Sequence, residues 1–127
     1  MDENSIAGIV VNSAFKIHTD LGPGLLESVY EVILRDELRR HNLFVEQQKA
    51  IPIIYNDVKF PEAFRVDLIV DNKVIIELKS LEEITKVHKK QLLTYLRLTR
   101  LRLGLLINFG SALIREGIFR VVNGLPE

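Results

Sequence analysis

The sequence predicts a mixed α/β domain with element order α-α-β-β-β-α-β-β, a mixed sheet flanked by helices and antiparallel at its start. Three observations carry that prediction. Apolar residues recur at helical spacing in two stretches before residue 41. Runs rich in Val, Ile and Phe, separated by turn residues, fill the middle. A third helical stretch then parts these from two more apolar runs.

Each element has a local reason. Asn4 or Ser5 can cap a first helix whose apolar stripe is Ile6, Ile9, Val10, Ala14 and Ile17. Leu21-Gly22-Pro23-Gly24 stops it, because glycine and proline both interrupt helical geometry. A second helix is predicted from about Leu25 to Arg40, with Leu26, Val29, Tyr30, Ile33, Leu34 and Leu38 at helical spacing and His41-Asn42 at its end. Phe44 to Tyr55 is strand-like, and Pro52 marks an edge or a bulge. Phe64 to Val70 and Val74 to Lys79 form a hairpin around Asp71-Asn72-Lys73. Ser80-Leu81-Glu82-Glu83 has the Ser-x-x-Glu form of a capping box, so a third helix is expected from there to about Thr99. Leu101 to Phe109 is a strand closed by Gly110, and Ile118 to Val122 is a last short strand. Without repeat, low-complexity segment or linker, residues 1–127 are expected to form one domain.

Composition narrows the function classes. No apolar run reaches the roughly 18–20 residues a membrane span needs. The start MDENSIAGIV is acidic where a signal peptide is positive. No cysteine is present, which excludes disulfides and thiolate metal sites. A cytoplasmic protein with no membrane partner is the expectation. The net charge of zero gives no global attraction for nucleic acid. The charge is unevenly spread: Lys86 to Arg102 holds six basic residues and no acid, whereas Met1 to Glu37 holds seven acids against two bases. Such asymmetry marks either a polyanion-facing side or a solvated helix face.

The chemistry concentrates in FRVDLIVDNKVIIELKS, Phe64 to Ser80. Side chains alternate along a strand, so Glu77 and Lys79 share one face. A three-residue loop at Asp71-Asn72-Lys73 pairs Val70 with Val74 and brings Asp67 opposite Glu77, with Cβ atoms roughly 4.5–5.5 Å apart. A two-residue loop would turn the two acids to opposite faces. Two carboxylates so close repel, and apolar surroundings add desolvation. A divalent cation compensates well, since hard oxygen ligands suit Mg²⁺ or Mn²⁺. Lys79 is a second compensating charge. A wet surface hairpin, with Arg65, Asp67, Glu77 and Lys79 in cross-strand ion pairs, fits the same alternation.

Asp67, followed after nine residues by Glu77-Leu78-Lys79, resembles the PD-(D/E)xK signature of the restriction-endonuclease-like superfamily, with Val66 where the pattern has proline. Gly24-Leu25-Leu26-Glu27-Ser28-Val29-Tyr30 is similar to the motif of the GxxExxY protein family assigned to that superfamily. Phe64 to Leu68, Ile75 to Lys79, His88 to Leu96 and Gly104 to Gly110 match in order, over nearly the whole chain. The resemblance implies a restriction-endonuclease-like core and a Mg²⁺- or Mn²⁺-dependent nuclease acting on DNA or RNA. It implies Asp67 and Glu77 as metal ligands, with the Leu78 carbonyl as a third oxygen. It implies Lys79 as a catalytic residue that orients water or stabilises developing charge, and Glu27 as a helix-borne acid completing the site.

Further expectations follow from the helices. Tyr30 lies beside Glu27 at i, i+3, positioned to bond Glu27 or a phosphate, or else to fill the core. His88, Gln91 and Tyr95 share a face of the third helix. A glutamine in this helix near the active site is a superfamily feature, so the resemblance implies that Gln91 could bond the substrate phosphate or the attacking water, and that His88 could do likewise or merely cap the site. Lys86, Lys89 and Lys90 would meet phosphates. A competing reading is a catalytically weak or inactive nucleic-acid-binding or protein-interaction module on the same fold. A domain of this size can also form a homodimer that presents two sites to two strands.

Overall fold

The computed structural model describes residues 1–126. The elements follow in the order α1 (Glu3–Leu21), α2 (Glu27–Arg40), β1 (Val45–Tyr55), β2 (Val58–Val70), β3 (Val74–Lys79), α3 (Lys86–Thr99), β4 (Leu103–Asn108) and β5 (Ile118–Val122), with a short 3₁₀ turn at Ile114–Glu116. The five strands lie in sequence order, β1-β2-β3-β4-β5. All neighbours are antiparallel except β3 and β4, which run parallel and are joined through α3. This is the α/β restriction-endonuclease-like arrangement expected.

The sheet separates two cores. On one face, Ile6, Val10, Ala14 and Ile17 of α1 and Tyr30, Leu34 and Leu38 of α2 pack on Leu68, Val70, Val74, Ile76, Leu78, Leu105 and Ile107. On the other, Leu92 and Leu96 of α3 pack on Ile51, Val66, Ile69, Ile75 and Leu106. Central strands covered on both faces become continuous apolar runs. β4 is buried at every position, and β3 is buried at every position but its last. Glu77 is the charged exception on that buried strand.

Four boundaries depart from expectation. Asp2, not Asn4 or Ser5, caps α1, its side chain accepting from the Ser5 amide at 2.8 Å. α2 starts at Glu27 and turns Tyr30, Glu31, Leu34 and Leu38 inward, leaving Leu26 and Val29 exposed. β2 starts at Val58, well before Phe64, because β1 pairs with it out to Tyr55↔Val58, with a register shift between Ile51 and Ile53 at Pro52. α3 starts at Lys86, capped reciprocally by Thr85 and His88 rather than by Ser80 and Glu83. Ser80 is spoken for: its hydroxyl donates to the Leu25 carbonyl at 2.8 Å. Leu81 is pinned to the end of β4, where Asn108 accepts from its amide at 2.9 Å and donates to its carbonyl at 3.0 Å. Gly110 permits that approach, since a Cβ there would lie 2.2 Å from the Leu81 carbonyl oxygen.

Candidate active site

The β2–β3 hairpin has two different ends. Near the loop, Val70↔Val74, Ile69↔Ile75 and Leu68↔Ile76 pair regularly. The loop is Asp71-Asn72-Lys73, closed by the Lys73 amide donating to the Val70 carbonyl at 2.9 Å. Asp71 and Asn72 supply its left-handed turn at φ 50° and 54°. This register carries Asp67 opposite Glu77, and there the main-chain ladder gives way. The Asp67 amide donates to Glu77 Oε2 at 3.0 Å, and the Leu78 amide donates to Asp67 Oδ2 at 2.9 Å. Each carboxylate takes an amide from the opposite strand, wedged where ordinary strand pairing would continue.

Glu77 is only 7% exposed. Burial first, then the neighbouring Asp67 charge and a hydrogen bond with its side chain, push the Glu77 carboxyl up to about 9 from an ordinary 4.5, against the pull of the Asp67 amide and Lys79. A carboxyl so placed holds its proton at neutral pH. Ionising it beside Asp67 is unfavourable without a cation between or beside the two.

Helix α2 adds two more acids, one helical turn apart. Burial raises the Glu27 carboxyl, with Asp67 adding to the rise and Lys79 opposing it. Burial also raises Glu31; the Gln47 and Gln48 hydrogen bonds oppose the rise and Asp67 adds to it. Glu31 is buried and receives Gln47 Nε2 at 2.7 Å and Gln48 Nε2 at 2.8 Å. Gln48 Nε2 also donates to Asp67 Oδ1 at 3.0 Å. Ser80, bonded to the Leu25 carbonyl, ties the end of β3 to the turn that launches α2. Gly24, at φ 112°, gives that turn a conformation other residues rarely adopt.

The sequence-derived residues divide clearly. Asp67, Glu77 and the Leu78 amide meet at bonding distance, and Glu27 and Lys79 both act electrostatically on that group. Among the described residues the Lys79 ammonium makes no hydrogen bond or salt bridge. Tyr95 is within the field of the site: burial raises its phenol, and the Glu77 and Asp67 charges add to that. Its ring stacks on Phe64 at 4.2 Å between centroids. Gln91 is exposed one turn earlier on α3, as are Lys86 and Lys90. Lys89 sits with its ammonium 4.1 Å from the centroid of the Phe119 ring.

Two residues expected near the substrate also make structural bonds. Tyr30 is fully buried; its hydroxyl donates to the Gly22 carbonyl at 2.5 Å and accepts from the Leu25 amide at 3.1 Å. Its ring stacks on Phe109 at 4.5 Å, so it braces the turn before Glu27, the core reading of this residue. His88 spends Nδ1 on the Thr85 amide at 3.1 Å, as a helix cap. Sequence reasoning passed over Glu31 and Gln48. Glu31 had a signal: it lies four residues after Glu27, on the face that also carries Tyr30 and Leu34.

The donor set suits a hard divalent cation: two neighbouring carboxylates, each held by an amide of the opposite strand and one of them buried, on strands that part beside them. Among the described residues no three His, Cys, Asp or Glu side chains converge to hold an ion by themselves. A cation here would rest on two carboxylates, a backbone carbonyl and solvent, a mix that suits Mg²⁺, which usually keeps several waters. Among the described residues no helix is long and apolar enough to cross a membrane. The family model of the PD-(D/E)XK nuclease superfamily matches residues 4–121. No curated protein and no solved structure matches the chain.

Proposed function

Because the chain belongs to the PD-(D/E)XK nuclease superfamily, we propose that it hydrolyses phosphodiester bonds of DNA or RNA, using Mg²⁺ or Mn²⁺ held at Asp67 and Glu77. The observation that carries this reading is the pairing of those carboxylates across the hairpin, each on an amide of the opposite strand where the ladder parts, with Lys79 beside them on the same strand face. The Gly24-x-x-Glu27-x-x-Tyr30 motif supports placing it in the GxxExxY group of that superfamily.

Asp67 and Glu77 would hold the cation together with the Leu78 carbonyl. The Leu78 amide is turned toward Asp67. In an extended strand a residue's N–H and C=O lie on the same side, which directs that carbonyl to the same gap. When bound, the cation supplies Lewis-acid polarisation of the scissile phosphate and a lowered pKa for an attacking water. Lys79, whose ammonium makes no hydrogen bond or salt bridge among the described residues, stabilises negative charge developing on the phosphate or orients the water. Glu27 approaches from α2 and holds a water ligand or the attacking water. Gln91 and the ammonium groups of Lys86, Lys89 and Lys90 engage the nucleic-acid backbone along α3.

A second reading, a weak or inactive nucleic-acid-binding or protein-interaction module, draws on the zero net charge of the chain. Plasmid DNA, single-stranded DNA and RNA incubated with the protein in Mg²⁺ or Mn²⁺ separate the two. The nuclease reading expects chelator-sensitive cleavage that Asp67→Ala abolishes. Folded wild-type protein that leaves all three substrates intact with either ion would favour the module.

A further inference from the structure

Gln47 and Gln48 are adjacent on β1, yet both side-chain amides donate to the same carboxylate, Glu31, at 2.7 and 2.8 Å. Adjacent residues of a regular strand point to opposite faces. The exception has a visible cause. Gln48 lies at φ 50°, a left-handed conformation that costs a non-glycine residue of order 1 kcal/mol or more. It sits between the Gln47↔Leu68 and Lys49↔Val66 pairs, opposite Asp67 in the same register. The twist is held in place: Arg65 donates to the Gln48 carbonyl at 2.9 Å and is itself paired with Glu62. Irregularities of this kind re-aim side chains next to active sites.

The re-aimed amide nitrogen serves two carboxylates. One Nε2 group donates to Glu31 Oε1 at 2.8 Å and to Asp67 Oδ1 at 3.0 Å. Glu31 is fixed from its other side by Gln47, whose Oε1 accepts from Arg35 at 2.6 Å. A continuous chain of hydrogen bonds therefore runs from Arg35 through Gln47, Glu31 and Gln48 to Asp67, and on to the Leu78 amide. We propose that Gln48 is a positioning residue for the metal-binding carboxylate Asp67. Its strained backbone turns the amide, on a residue that stays exposed, so that it bridges Asp67 to the buried Glu31 and fixes the carboxylate orientation that a divalent cation meets.

This inference rests on Asp67 being a metal ligand, and the test keeps the two apart. Calorimetric titration of Mn²⁺ into wild type, Gln48→Gly and Gln47→Ala is the measurement, with urea unfolding of each. Glycine removes the amide while relieving the left-handed backbone, so Gln48→Gly is expected to be at least as stable as wild type. It should nonetheless bind Mn²⁺ about 10–100-fold more weakly, the usual effect of losing a group that orients a ligand. Gln47→Ala, which leaves the bridge to Asp67 intact, should change affinity much less. Wild-type Mn²⁺ affinity in folded Gln48→Gly would overturn the role of Gln48 alone. A wild-type protein that takes up no Mn²⁺ would overturn the metal reading and this inference with it.

Discussion

The loop end and the open end of the β2–β3 hairpin are a few residues apart and obey opposite rules. At the loop end, Val70, Val74, Leu68 and Ile76 are fully buried and their backbones pair in regular register. At the open end, Asp67 and Glu77 continue that register but spend their carboxylates on the partner strand's amides. One end gains from burial and the other is penalised by it. The difference teaches that the apolar ladder fixes the geometry in which two unfavourable neighbours are held, a division often seen where stability and function trade against each other.

Breaking each end should give separable results. Asp67→Asn is expected to have the largest functional effect, lowering Mg²⁺-dependent cleavage by about 10³-fold or more, given the several kcal/mol a metal contributes to charge stabilisation. Its circular dichroism should stay that of wild type. Ile76→Ala attacks the other end: loss of a fully buried side chain should cost about 2–5 kcal/mol in urea unfolding, with Mn²⁺ affinity of the folded protein retained.

Glu77→Gln sharpens the comparison, because it should make the metal-free protein more stable while removing metal binding. With its carboxyl raised from 4.5 to about 9, folded Glu77 holds a proton the unfolded chain has lost between those values. The folded state binds more protons across that window. Its contribution is therefore fully present below about pH 4.5 and is lost as pH rises towards 9. Gln at this position should abolish that slope and raise the metal-free melting temperature at pH 8 by a few degrees. Saturating Mg²⁺ should stabilise wild type by about 2.7 kcal/mol at a hundred times its Kd and leave the Gln variant unmoved. The smallest effect is expected on α3, where replacing both Lys86 and Lys90 by Ala should reduce the salt dependence of duplex binding by a slope of about 2, measured by fluorescence anisotropy.

The hairpin was the most legible part of the chain. Asp71-Asn72-Lys73 contains residues that accept left-handed turns, so a three-residue loop opposing Asp67 and Glu77 could be read from the sequence, but the apolar runs on both sides fit a two-residue loop as well, and only the pairing of Val70 with Val74 selects the register. The start of α3 was not legible. Ser80-x-x-Glu83 has the form of a cap, but Leu25 takes the Ser80 hydroxyl and Asn108 takes the Leu81 backbone, partners far away in sequence. Tyr30 looked equally suited to phosphate or core until the fold closed Gly22 and Leu25 around its hydroxyl. Gln48 could not be found by alternation at all, since its role depends on a backbone irregularity that breaks alternation.

Anomalous diffraction from crystals grown with Mn²⁺ tests the central claim most directly. The account predicts one peak within coordination distance of both the Asp67 and Glu77 carboxylates, with the Leu78 carbonyl among its ligands, and none in Asp67→Asn crystals. Saturated crystals in which those two carboxylates keep their cross-strand amide bonds with no ion beside them would contradict it.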